Sequence, residues 1–252
     1  MSMRDIFRLR EIRSYGWPEN TAYARDRLSA YSLEAGHLQK TAQWSDLLRF
    51  SEKVLPWILE IKSAHAGDSS FAMRIAALHA AYAVSLVESG REDEAKNWAD
   101  QSLASTHPDF PLYAELVQMN YAILARRWQI LAGKGEYLLV ERELIHYEEV
   151  CPVKGACPDH RLWLYSEWSQ SLWKKEKWED VVAKLKKVLT LSGDNTQKYR
   201  EALDGAYSNW ANFFFKSEQY KEGRKVLEKC LAESAENKSC RESMERLQQS
   251  GL

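Results

Sequence analysis

The stretch DHRLWLYSEWSQSLWKKEKWEDVVAKLKKVLTL, residues 159–191, decides how the rest of this chain is interpreted. At about 100° per residue, four of its side chains fall on one side of a helix: Leu164, Tyr165, Trp168 and Leu172. After a short charged segment, a second amphipathic pattern runs from Trp178 to Leu189. Two helices joined by so short a turn fold back on one another, so the stretch predicts an antiparallel helical hairpin.

One short motif occurs five times along the chain, in weaker form in the first two copies, where Glu34 takes the apolar position and His79 the aromatic one. It consists of an aromatic residue, a large apolar residue three positions on, a small residue directly after it, and a further apolar residue three positions later. The small residues of the five copies are Ala35, Ala83, Ala125, Ser169 and Ala211, at intervals of 48, 42, 44 and 42 residues. Each copy is followed by a second apolar pattern of helical period. Because a small side chain lets a second helix approach closely, the sequence predicts five tandem hairpins.

At these residues the chain resembles the tetratricopeptide repeat family, whose pattern runs W-x2-L-G-x2-Y, then A-x3-F, then P. The resemblance covers about residues 28 to 235, although Ala or Ser replaces the Gly and the period of about 42 exceeds the usual ~34. It implies an all-α protein with a right-handed superhelix of about five hairpins at residues 21–235. An N-terminal segment at 1–20 could cap the first hairpin, and a capping helix is expected at 236–252.

A second helix face carries the functional prediction. In the copy around Ser169 this face holds Trp163, Ser166, Gln170 and Trp173, and the next copy contributes Ser208, Asn212, Phe215 and Lys216. By the family resemblance, the first helices of stacked hairpins line a concave groove that binds a peptide segment or a partner helix. Aromatic rings supply contact area, and amide and hydroxyl groups satisfy a peptide backbone. The alternative is that Trp163 and Trp173 pack on the neighbouring hairpin.

No pattern in the chain indicates an enzyme. There is no phosphate-binding loop, no dinucleotide-binding glycine motif, no H-E-x-x-H and no G-x-S-x-G. The carboxylates are expected on solvated helix faces. The sequence therefore predicts a non-enzymatic interaction scaffold without a cofactor. The alternatives are a structural subunit that self-assembles, which would make the chain a homo-oligomer, and a zinc-binding regulatory domain.

The four cysteines leave several interpretations open. His146, Cys151, Cys157 and His160 lie within fifteen residues and could bind tetrahedral zinc, but their spacing matches no standard finger. Cys151 and Cys157 could instead form a disulfide in an oxidising compartment, or remain free thiols in a reducing one. Cys230 and Cys240 could also pair, although Cys230 stands in an apolar position and is expected to be a buried free thiol.

The charge balance disfavours nucleic acid as a partner. The net charge is −1, from 35 basic and 36 acidic residues, and carboxylates interrupt the basic cluster at residues 174–187. No apolar run of the length that a membrane-spanning helix needs is found, so membrane insertion is not expected. The charged N-terminus does not read as a signal peptide, which favours a cytoplasmic location. The identity of the partner is not indicated.

Overall fold

A computed structural model describes residues 20–65, 67–106, 108–109, 113–153, 157, 159–193, 196–235 and 237–249. Within these residues the chain forms eleven α-helices, so the all-α prediction is confirmed. The helices are α1 Thr21–Lys40, α2 Trp44–Ala64, α3 Ser69–Glu88, α4 Glu92–Ala104, α5 Tyr113–Gly133, α6 Tyr137–Val150, α7 Arg161–Lys174, α8 Trp178–Leu191, α9 Thr196–Lys216, α10 Tyr220–Glu233 and α11 Lys238–Gln249. The predicted N-terminal segment lies outside the described residues except for Asn20, whose side chain caps α1 by accepting a hydrogen bond from the Tyr23 N–H at 3.1 Å.

The helices pack mainly on their neighbours in sequence, within two compact units. The first unit comprises residues 1–130 and 147–158, where α1 contacts α2 and α3, α2 contacts α3, and α3 contacts α4. The second comprises residues 131–146 and 159–252, where α7 contacts α8, α8 contacts α9, and α9 contacts α10. The segment 236–252, where a capping helix was predicted, contains α11, which packs on both α9 and α10.

Five helix pairs are joined by turns of one geometry. Each turn contains a residue with positive φ, and these residues are Ala42, Gly90, Gly135, Glu176 and Glu218. The next N–H donates to the carbonyl five residues earlier at 2.9–3.1 Å, as Gln43 does to Leu38 and Gln219 does to Phe214. This is the hydrogen bond that closes a Schellman motif at the end of a helix. The common turn sets a common register for the helix that follows.

The small residue of the motif is buried in four hairpins, seven residues before the positive-φ residue. These four are Ala35, Ala83, Ser169 and Ala211. In the third hairpin that position belongs to Trp128, which is 0 % exposed, whereas Ala125 is only half-buried. The predicted register of the third copy is therefore three residues too early. Residues three apart share a helix face, so the sequence pattern fits at Ala125 although the structurally equivalent residue, Trp128, lies one turn later.

Two helices of the first unit have features of their own. The helix α2 continues through Pro56 to Ala64, so this proline does not end the helix. The helix α3 is, among the described residues, the one that is long and apolar enough to cross a membrane. However, 67 % of its apolar window is buried inside the fold, so protein neighbours already cover most of its surface.

Candidate functional site

Three of the predicted groove residues line one open cleft in the second unit. The cleft has a volume of about 320 Å³ and lies between α7, α8 and the first turns of α9. Its lining residues are Ser166, Ser169, Gln170, Trp173, Lys174, Leu185, Lys198, Tyr199 and Ala202. We call it the Trp173 cleft.

The α7 wall of the Trp173 cleft offers hydrogen-bond acceptors and an amide. The Ser166 hydroxyl donates to the Leu162 carbonyl and the Ser169 hydroxyl to the Ser166 carbonyl, both at 2.8 Å. Their oxygens can still accept a hydrogen bond from a ligand. Gln170 is exposed, so its side chain can both donate and accept. These groups match the needs of an extended peptide backbone.

Trp173 serves two purposes in this wall. Its ring packs edge-on against Trp178, with centroids 5.2 Å apart, and it also reaches α9, where a Cβ on Gly205 would lie 3.5 Å from it. The indole therefore packs on the neighbouring hairpin, as one interpretation of the sequence held. The same ring also lines the Trp173 cleft.

The predicted α9 residues do not join this cleft. The Ser208 hydroxyl lies 2.7 Å from the Ser239 hydroxyl of α11. Phe215 stacks on Tyr220 and covers Gly223 of α10, so its ring faces its own partner helix. The remaining predicted residues are Trp163, which is half-buried, and Asn212 and Lys216, which are exposed. The α9 wall is formed by an earlier part of that helix.

Sequence reasoning missed Lys198, Tyr199 and Ala202 because it compared equivalent positions of successive repeats. The helix α9 has 21 residues and α7 has 14, so α9 carries extra turns at its N-terminal end. Those extra turns bring Lys198 and Tyr199 to the cleft. The unusual length of the helical pattern starting at Gln197 was the available signal.

The Trp173 cleft is positively charged. Lys174 and Lys198 stand on different walls and both are exposed, and there is no carboxylate among the described residues that line the cleft. The lysines of α8 are differently placed. Lys187 forms an ion pair with Glu141 at 2.7 Å, and Lys186 forms one with Glu233. The α8 part of the basic cluster thus contacts carboxylates of the protein itself.

The structure pairs all four cysteines. Disulfides join Cys151 to Cys157 and Cys230 to Cys240. The expectation of a free thiol at Cys230 is wrong, although the residue is buried as expected, at 1 % exposure. Because Cys151 and Cys157 are bonded to each other, they cannot act as thiolate ligands in the zinc site considered with His146 and His160. Within the described part of the chain, no group of three or more His, Cys, Asp or Glu side chains is arranged to hold a metal ion.

Similarity to known proteins gives no second line of evidence for this site. Comparison with models of protein families, with curated proteins and with solved structures finds no match. The geometry of the second unit is therefore the evidence on function.

Proposed function

We propose that this protein is a non-enzymatic interaction module whose Trp173 cleft binds an extended segment of a partner protein. One observation carries the proposal: Ser166, Gln170 and Trp173 of α7 meet Tyr199 of α9 around a single open cleft. Two aromatic rings provide contact area, and the hydroxyl and amide groups between them provide hydrogen bonds to a backbone. A volume of about 320 Å³ accommodates a few side chains of such a segment.

The proposal includes the repeat architecture expected from the sequence. The five hairpins are, in this view, copies of one unit of the tetratricopeptide type, stacked as a right-handed superhelix. The shared turn supports this, because four of the five hairpins place the positive-φ residue seven positions after the small residue of the motif, and all five close with the same hydrogen bond. The packing of α1 to α4, and of α7 to α11, mainly on their neighbours in sequence also supports it.

A selection from a random 12-residue peptide library displayed on phage tests the proposed function. Peptides enriched on the protein should bind the Trp173→Ala variant at least tenfold more weakly, because the variant removes one ring of the cleft. Phe213→Ala is the matched control, since Phe213 is an exposed aromatic residue of α9 outside the cleft. Its affinity should equal that of the unaltered protein.

Two results would contradict the proposal. One is a library that yields no enriched peptide, and the other is peptides that bind Trp173→Ala with unchanged affinity. Circular dichroism of the variant checks that its helices remain, because Trp173 also packs on Trp178. Light scattering reports the mass of each variant. A mass that stays at a multiple of one chain, without any peptide bound, would favour the self-assembling alternative.

A further inference from the structure

A second cavity, of about 500 Å³, lies in the second unit at the ends of α8 and α10, beside α9. Six polar side chains on its wall carry the argument: Lys186, Arg200, Asp204, Tyr207, Glu233 and Asn237. We call it the Tyr207 pocket. It shares no lining residue with the Trp173 cleft, so it is independent of the function proposed above.

Two polar side chains of the Tyr207 pocket are almost fully buried. Asn237 is 3 % exposed, donates to Asp204, and accepts from the Cys240 N–H at 3.0 Å. Tyr207 is 1 % exposed, and its hydroxyl has no partner at hydrogen-bonding geometry among the described residues. The Glu233 carboxylate interacts with this hydroxyl without meeting hydrogen-bond geometry, so a ligand oxygen placed to accept a well-formed hydrogen bond from it would be favoured. Burial, followed by the neighbouring Glu233 carboxylate, raises the pKa of Tyr207, which therefore stays protonated and able to donate.

Charges of both signs stand at the wall of the pocket. Lys186 and Glu233 form an ion pair with one another. Arg200 and Asp204 are one turn apart on α9, and Asn237 occupies only one oxygen of Asp204. Arg200 forms no hydrogen bond with any of the described residues, and its charge acts on the Asp204 carboxylate without direct pairing. A guanidinium and a carboxylate oxygen are thus both available at one cavity.

This arrangement narrows the class of ligand. An inorganic anion would be attracted by Arg200 but repelled by Asp204. A simple cation would be attracted by Asp204 but repelled by Arg200. A zwitterion meets both charges, and the nearby Leu189 and Leu203 provide an apolar wall. We propose that the Tyr207 pocket binds a free α-amino acid with an apolar side chain. Arg200 and the Tyr207 hydroxyl hold its carboxylate, and Asp204 holds its ammonium group.

Isothermal titration calorimetry with L-leucine tests this proposal. L-leucine should bind, while its methyl ester and N-acetyl-leucine, which each lack one charge, should bind at least tenfold more weakly. Arg200→Gln and Asp204→Asn should also weaken binding at least tenfold, and Tyr207→Phe severalfold. Lys198→Gln is the control on the same helix, outside the pocket, and should bind L-leucine as the unaltered protein does.

The proposal is overturned if L-leucine, L-isoleucine, L-methionine and L-phenylalanine all give no binding heat and leave the unfolding temperature unchanged. It is also overturned if the ester and the N-acetyl compound bind as tightly as L-leucine, or if Arg200→Gln has no effect. Trp173→Ala should leave L-leucine binding intact. The amino-acid site and the peptide cleft can therefore fail separately.

Discussion

His79 stands eleven residues before the positive-φ turn residue, where Tyr31, Tyr165 and Tyr207 stand in other hairpins. Its side chain is 1 % exposed, and neither ring nitrogen has a hydrogen-bond partner among the described residues. The ring packs edge-on against Trp98 at 5.0 Å, as an aromatic residue would. In burial and ring contact, His79 thus resembles the tyrosines at the equivalent position of the other hairpins.

We expect His79 to make the protein sensitive to acid. Burial, and then the charge of Lys62, lowers the pKa of His79 from 6.5 to about 4. Because the unfolded chain takes up a proton that the folded chain excludes, stability is lost as the pH falls from about 6.5 towards 4. The difference is about 3 kcal/mol at its largest. Urea unfolding at pH 7.5 and pH 4.5 should show a smaller loss for His79→Leu than for the unaltered protein.

His37→Gln provides the control for this measurement, because His37 is exposed on α1. The control should lose as much stability between the two pH values as the unaltered protein does. An equal loss in His79→Leu would show that His79 is not the group responsible.

At the scale of the helical element, the turn explains both the success and the error of the sequence prediction. Apolar periodicity predicted a helical pattern from Trp178 to Leu189, close to the observed α8 at Trp178–Leu191, since the buried positions of a helix repeat with its turn. It could not fix the register of the third copy, where Trp128 fills the position of a small residue. Nor could it identify Glu176 and Glu218 as positive-φ residues, because glycine, the usual residue there, occurs in only two of the five turns.

In the turns whose positive-φ residue is not glycine, a substitution by glycine should stabilise the protein. A left-handed conformation costs an L-residue about 1–2 kcal/mol, and the greater freedom of glycine in the unfolded chain offsets part of that gain. We therefore expect Glu218→Gly to stabilise the protein by about 0.5–1 kcal/mol in chemical denaturation. Gly90→Ala should destabilise it by a similar amount. A loss of stability in Glu218→Gly would contradict the turn geometry.

The residues of the candidate sites could be predicted only in part, because helical spacing describes one helix and a cleft is formed by several. Helical spacing gives the face on which Ser166, Gln170 and Trp173 lie, so these residues were found. Which residues stand opposite depends on the length and offset of α9, and spacing within one helix does not contain that information. The Tyr207 pocket was missed entirely, since its wall combines the ends of α8 and α10 with α9.

For the whole molecule, the pairing of all four cysteines is relevant to the redox state of the compartment in which the protein is found. Disulfides persist mainly in oxidising compartments, whereas the charged N-terminus favoured a cytoplasmic location. The cysteine spacing of six and ten residues was compatible with either pairing or free thiols. Contact between α10 and α11 settles the second pair, because it brings Cys230 and Cys240 together.

Loss of the Cys230–Cys240 bond should destabilise the second unit. A disulfide that closes a loop of ten residues raises the free energy of unfolding by about 3 kcal/mol, because it restricts the conformations of the unfolded chain. Replacing both cysteines by serine should therefore lower the unfolding temperature, and a reducing agent should have the same effect on the unaltered protein. In the matched variant that replaces Cys151 and Cys157, the Tyr207 pocket should still bind L-leucine. An unfolding temperature that does not respond to reduction would show that the bond contributes little.

Asn237 links Asp204 of the Tyr207 pocket to the first turn of α11, next to Cys240. A shortened expression clone that stopped after Ser234 would therefore remove a wall of the cavity together with the partner of Cys230. What looks in the sequence like a dispensable polar tail would then prove to be part of the cavity wall, and trimming it would leave an unpaired thiol facing solvent.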